Sequence, residues 1–175
     1  MNKPITELKP IETRYKGFLF RSRLEARWAL FLDALNINWF YEHEGYDLDG
    51  LWYLPDFYLP TFHNGAFIEV KPFAFLKAEL EKAERLCLIS GKIVILAIDV
   101  PDFICYEYYY RETCKGVTKV DKAYGIINGD QAYDENRMFV YPGYENADLT
   151  IDKRNWDSVG DNYLTAVELA KGGRF

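Results

Sequence analysis

Residues 55–71 read Pro-Asp, twelve intervening residues, then Glu-Val-Lys, which places Asp56, Glu69 and Lys71 in one short stretch. Two carboxylates and an amine so spaced suit hydrolysis of a phosphodiester. Carboxylates held together raise each other's proton affinity, and a divalent cation removes that conflict. Hard oxygen ligands, with water completing an octahedron, suit Mg²⁺. Such an ion polarises a phosphodiester and lowers the pKa of a bound water. Lys71, next to the pair, is placed to orient that water or to stabilise charge on the phosphorane.

The elements that must hold these groups can be read around them. Ala66 to Lys71 forms an expected short strand, stopped by Pro72. Alternation sends Glu69 and Lys71 to one face and Ile68 and Val70 to the other. A charge on a helix-covered sheet face is costly unless it is paired or holds a metal. If Leu51 to Tyr58 pairs with this strand, Asp56 meets Glu69 near its end. Upstream, Ser22 is a candidate helix N-cap with Glu25 as its capping-box partner. Leu24, Trp28, Phe31, Leu32 and Leu35 then mark one face of a helix ending near Asn36. Glu25 lies at the edge of that face, beside Leu32, and is directed toward the sheet as a third carboxylate. Glu7-Leu8-Lys9 and Pro101-Asp102 each repeat only half of the pattern.

The remaining segments complete a layout. Residues 1–13 read as an extended arm and residues 14–20 as a short strand or hairpin. Strands are expected at Asn38 to Tyr41, Tyr46 to Leu48 and Leu51 to Tyr58, with Asp49-Gly50 as a hairpin turn. A second helix carries Leu76, Leu80, Ala83 and Cys87 on one face and closes at Gly91. Ile93 to Ile98 is a continuous apolar run, as in a strand buried on both faces. Strand, helix, strand predicts a right-handed parallel crossover. Further on, residues 104–110 and 123–127 are expected to pair as strands. Met138 to Tyr141 is another candidate strand, and Asp157 to Lys171 a final helix with Tyr163, Val167 and Ala170 on one face.

Composition excludes several classes. The chain has 175 residues, 49% hydrophobic and 27% charged, which fits one folded domain and not a disordered segment. The run at Ile93 to Ile98 is too short to span a bilayer, which takes roughly 20 apolar residues. The N-terminus has no apolar signal region, so a cytoplasmic protein without membrane contact is expected. Cys87, Cys105 and Cys114 form no CxxC pair and read as buried reduced thiols. His43 reads as a surface residue, and His63-Asn64 lacks a second His at a workable distance. Tyr106, Tyr108, Tyr109 and Tyr110 fit sheet packing better than base stacking. The net charge is −6, but residues 1–30 carry seven basic and three acidic side chains, leaving 14 and 24 for the remainder. Lys16, Arg21, Arg23 and Arg27 from that basic segment are candidate contacts for DNA phosphates. For Arg23 and Arg27, opposite Glu25 on the helix, a solvated face fits equally well.

Four ordered stretches carry a resemblance. Phe20-Arg-Ser-Arg-Leu-Glu-Ala-Arg-Trp-Ala29, Tyr41-Glu42, Tyr53-Leu-Pro-Asp-Phe-Tyr-Leu-Pro60 and Ile68-Glu-Val-Lys71 together resemble the PD-(D/E)XK nuclease superfamily. The likeness is greatest to its small phage- or plasmid-encoded branch, related to restriction endonucleases. It spans about residues 14–100, and Pro72 stands where the family pattern has Gly. The resemblance implies an α/β fold, with a restriction-endonuclease-like core whose central mixed β-sheet is flanked by helices, plus a C-terminal elaboration. The expected division is an arm at 1–13, a nuclease core at 14–105 and an elaboration of the same domain at 106–175. By this resemblance Glu25, Asp56 and Glu69 are the metal-binding acids and the Val70 carbonyl a further ligand. Lys71 completes the catalytic set, and, apart from the resemblance, Glu42 beside His43 is a candidate to stand behind the ligands. The implied activity is Mg²⁺-dependent endonucleolytic hydrolysis of DNA, with Mn²⁺ able to substitute. Two alternatives stay open: a non-catalytic module of the same fold that binds a protein or mimics DNA, and a junction- or flap-specific nuclease. A homodimer, and a protein partner at the acidic C-terminal surface, also stay open.

Overall fold

The computed structural model describes residues 9–61, 65–101, 105–112, 116–130, 134–142 and 160–175; for 105–142 and 160–164 it describes the backbone alone. The chain folds as mixed α/β. Strands β1 (Thr13–Tyr15) and β2 (Phe18–Phe20) form a hairpin. Its turn, Lys16-Gly17, has φ of 47° and 87°, the paired left-handed residues a tight hairpin requires.

Helix α1 (Arg23–Ala34) begins where the sequence predicts. Ser22 is extended, at φ −140° and ψ 156°, and its Oγ accepts the Glu25 N–H at 3.1 Å. At the other end Asn36 turns left-handed at φ 54°. The Ile37 N–H reaches the Leu32 carbonyl at 2.9 Å and the Asn36 N–H reaches that of Asp33 at 3.0 Å, a Schellman closure with Asn in the place Gly often takes.

The long strand expected over Leu51 to Tyr58 is two strands. Trp52–Tyr53 (β5) pairs with Tyr46–Asp47 (β4) around the Asp49-Gly50 turn. Phe57–Leu59 (β6) pairs on one side with Phe40–Tyr41 (β3) and on the other with Ala66–Lys71 (β7). Pro55 lies between them; it offers no N–H to a ladder, and its fixed φ turns the chain from one sheet to the other.

Helix α2 (Lys77–Ser90) follows β7 and ends at Gly91, left-handed at φ 68°. Strand β8 (Ile93–Ile98) then runs parallel to β7, with Glu69 opposite Leu96. Antiparallel strands β9 (Cys105–Glu112), β10 (Gly116–Asp130) and β11 (Asp134–Pro142) extend the sheet. Its order is β11-β10-β9-β8-β7-β6-β3. Helix α3 (Gly160–Gly172) closes the described chain.

Alternation on β7 divides the core into two layers. Ile68 and Val70 pack with Trp28, Phe31 and Leu32 of α1 and with Ala166, Val167 and Ala170 of α3. Phe67 packs on the opposite face with Ala83, Leu86 and Cys87 of α2 and with Tyr53 and Leu48. Leu76, expected on the apolar face of α2, is instead 70% exposed. It precedes the first helical turn, and Leu86 supplies the packing in its place. Among the described residues no helix is long and apolar enough to cross a membrane. Cys105, Cys114, His63, Tyr163 and the Tyr106 to Tyr110 side chains lie outside the described positions.

Candidate functional site

The break at Pro55 builds the site. The β6–β7 register runs Leu59 with Ala66, Tyr58 with Phe67 and Phe57 with Ile68, so its next step sets Asp56 against Glu69. The main chain of β6 leaves the ladder at this step, and the Asp56 side chain takes over. Asp56 Oδ2 accepts the Val70 N–H at 2.8 Å. The N–H and C=O of one strand residue leave the same side of the strand, so the Val70 carbonyl is directed toward Asp56 as well.

Glu69 sits on the α2 face of β7. Its Oε2 accepts the Tyr53 hydroxyl at 2.7 Å and its Oε1 meets Lys71 Nζ at 2.9 Å. Lys71 also reaches Glu79 Oε1 at 3.5 Å, while Glu79 Oε2 accepts the Leu76 N–H at 2.8 Å as the cap of α2. Glu25 approaches from the α1 face. Its Oε1 accepts the Ser22 hydroxyl at 2.8 Å, and its Oε2 accepts the Tyr41 hydroxyl in a short hydrogen bond. Trp28, one turn along α1, donates its indole N–H to the Asp99 carbonyl at 2.9 Å. The Asp99 N–H in turn donates to the Lys71 carbonyl at 2.7 Å, tying the helix to the ends of β7 and β8.

Arg21 joins the two sides. Its Nη2 lies 2.6 Å from Asp56 Oδ1, its Nε 2.8 Å from Glu42 Oε1 and 4.0 Å from Glu25 Oε2. Glu42 is held there by an unusual backbone, left-handed at φ 46°, with its N–H on the Asp56 carbonyl at 3.0 Å. Among the described residues the buried charged side chains are Glu25 (8% exposed), Asp56 (2%) and Glu69 (8%). They are the three acids singled out from the sequence.

Burial and sign of charge set the electrostatics. Desolvation holds the Asp56 carboxyl well above the usual carboxylate range, and the negative charges of Glu69 and Glu25 add to it. The Val70 N–H and Arg21 pull the other way and are outweighed. Burial lowers the Lys71 ammonium, but the fields of Glu69, Asp56 and Glu79 outweigh it, and the net shift is upward. Burial likewise lifts the Tyr53 hydroxyl, with Glu69 contributing, so it stays a donor.

Five carboxylates (Glu25, Glu42, Asp56, Glu69 and Glu79) thus share two cations, Arg21 and Lys71. They form two groups that face each other across Asp56, one on Arg21 and one on Lys71. Among the described residues no three acid, His or Cys side chains are drawn together tightly enough to enclose a metal ion.

The candidate cations divide. Lys16 pairs with Asp33 at 3.0 Å, eight residues along α1 from Glu25, about 12 Å of helix. Arg23 is exposed, and Arg27 is half-buried with an Nε that has no hydrogen-bond partner among the described residues. Arg21, expected at phosphates, lies on the carboxylates. His43 is exposed and stacks on Phe40, with ring centres 4.8 Å apart. Tyr41, Tyr53 and Glu79 join the site with no motif in the sequence to mark them, although Glu79 falls in the first turn of α2. No family model matches the chain, and comparisons with curated proteins and solved structures likewise find no match.

Proposed function

We propose that the chain is a Mg²⁺-dependent DNA endonuclease of the PD-(D/E)XK type, with a restriction-endonuclease-like core. The observation that carries the reading is the burial of Glu25, Asp56 and Glu69, and of no other charged side chain among the described residues, around one strand end. Buried carboxylates in excess of their counter-ions are costly unless the site serves a cation. The order α1, β6 antiparallel to β7, α2, then β8 parallel to β7 supports the same reading.

The donor set suits Mg²⁺, being hard oxygens throughout. Asp56, Glu69 and the Val70 carbonyl would hold the ion, with Glu25 reaching it directly or through water. The ion would supply Lewis-acid polarisation of the phosphate and a more acidic water. Lys71 is kept protonated by Glu69 and Glu79, so it acts as a positive hydrogen-bond donor to developing phosphorane charge and not as a base. Tyr53 and Tyr41 fix the rotamers of Glu69 and Glu25 by donating to them.

Labelled duplex, nicked, flap, junction and single-stranded DNAs, incubated with Mg²⁺ or Mn²⁺, test the reading. The wild type should cut at least one of them. Asp56→Asn, Glu69→Gln and Lys71→Met should each lose about 100-fold or more. Equal cleavage by all four proteins would expose a contaminating nuclease and end the assignment. The panel also separates a junction- or flap-specific nuclease from a duplex cutter.

A non-catalytic binding module is favoured by one observation, the engagement of Asp56 Oδ1 by Arg21. That reading expects no cleavage of any substrate and no Mn²⁺ binding at the carboxylates.

A further inference from the structure

Both oxygens of Asp56 are already engaged, Oδ2 by the Val70 N–H and Oδ1 by Arg21. The Val70 amide belongs to the buried strand β7 and is fixed by the ladder to β8. Arg21 is different. Its side chain is 56% exposed, on a flexible stem, and a guanidinium beside an arriving dication is repelled. We propose that Arg21 is a displaceable internal counter-ion that sets the affinity of the carboxylate site for a divalent cation. The inference rests on the metal-site reading above and deepens it.

The local structure looks built for this exchange. Glu42 grips Arg21 Nε at 2.8 Å from a left-handed backbone position that is uncommon and costly for a non-glycine residue. The Glu42 N–H on the Asp56 carbonyl holds that position and sets the Arg21 anchor beside the ligand it covers. The guanidinium balances the carboxylates until a cation at Asp56 takes its place. Its departure breaks the ion pairs to Asp56 and Glu42 together, so both pairs count against the incoming ion.

Calorimetric titration of the full chain with MnCl₂ tests the idea without reference to cleavage. Arg21→Gln should bind Mn²⁺ about tenfold more tightly than wild type, and Asp56→Asn should lose binding. Loss of a positive charge alone would also tighten binding, so Glu42→Gln decides. Removing a carboxylate weakens cation binding by simple electrostatics, whereas loosening the Arg21 anchor strengthens it. Tighter Mn²⁺ binding by Glu42→Gln upholds the proposal. Unchanged or weaker binding by Glu42→Gln, with wild-type binding intact, overturns the role of Arg21 and leaves the metal site standing. No heat from wild type and Arg21→Gln alike overturns the metal site and this inference with it. Should Arg21→Gln fail to fold, Arg21→Lys keeps the charge without the fork and should bind Mn²⁺ more tightly than wild type; equal affinity overturns the proposal.

Discussion

The Asp56 carboxyl accepts the Val70 amide through Oδ2 while facing the negative charges of Glu69 and Glu25, so its ionisation is harder in the folded chain than in the unfolded one. An unfolded Asp titrates at about 3.9. Between that value and the raised folded one, the folded state binds more protons, and stability falls as pH rises through the window. Urea midpoints for wild type should therefore rise, relative to Asp56→Asn, as pH is lowered from about 7 to about 5. A wild-type midpoint that stays level or falls relative to that of Asp56→Asn as pH is lowered contradicts the burial of a strained carboxylate. Asp56→Asn retains an acceptor for the Val70 amide and should match or exceed wild-type stability at neutral pH, in chelator. Asp56→Ala removes the acceptor and should cost about 1–3 kcal/mol. The acids themselves were legible in the sequence, because charges inside apolar strand and helix patterns stand out. Their partners were not. Tyr41 and Tyr53 look like core aromatics until the fold brings a carboxylate to their hydroxyls. Arg21 has Glu25 four residues away, but its shorter ion pairs are to Asp56 and Glu42, a choice only the fold makes.

At the level of elements, α1 is defined at both ends by side chains and turns that the sequence displays. Ser22→Ala deletes the cap and should cost about 1 kcal/mol by chemical denaturation. It also removes the hydroxyl that restrains Glu25 Oε1, so it should lower cleavage more than a second substitution of equal thermodynamic cost placed away from the site. The β7–α2–β8 unit was readable from an apolar run, a helical face and Gly91. The split of residues 51–58 was not, although Pro55 is its cause. A proline limits a strand without saying which neighbour each half will choose. Strand β10 runs from Gly116 to Asp130, well beyond the expected residues 123–127. Thr118-Lys119-Val120-Asp121-Lys122 lacks a sustained run of apolar residues, and pairing of Thr118, Lys119 and Val120 with β9 supplies what local pattern does not.

Across the whole molecule, the basic N-terminal segment proves less available to a polyanion than its count suggests. Lys16 is paired to Asp33 and Arg21 to the carboxylates, which among the described residues leaves Lys9, Arg14 and Arg23 exposed. The site draws on both packing layers: Glu69 and Glu79 come with α2, Arg21 and Glu25 with α1, and Asp56 stands between them. The Val70 amide is the sensor of that junction. Its hydrogen exchange in wild type should require global unfolding, and in Asp56→Ala should accelerate far more than that of Ile95 on β8. The division into layers also has a temporal meaning. The β3–β6–β7 pairings and the β7–α2–β8 crossover are local in sequence and suited to early closure, whereas docking α1 on β7 and α3 demands contacts across many more residues. A half-folded chain is therefore expected to hold Asp56, Glu69 and Lys71 before Glu25, with the full constellation completed as α1 docks.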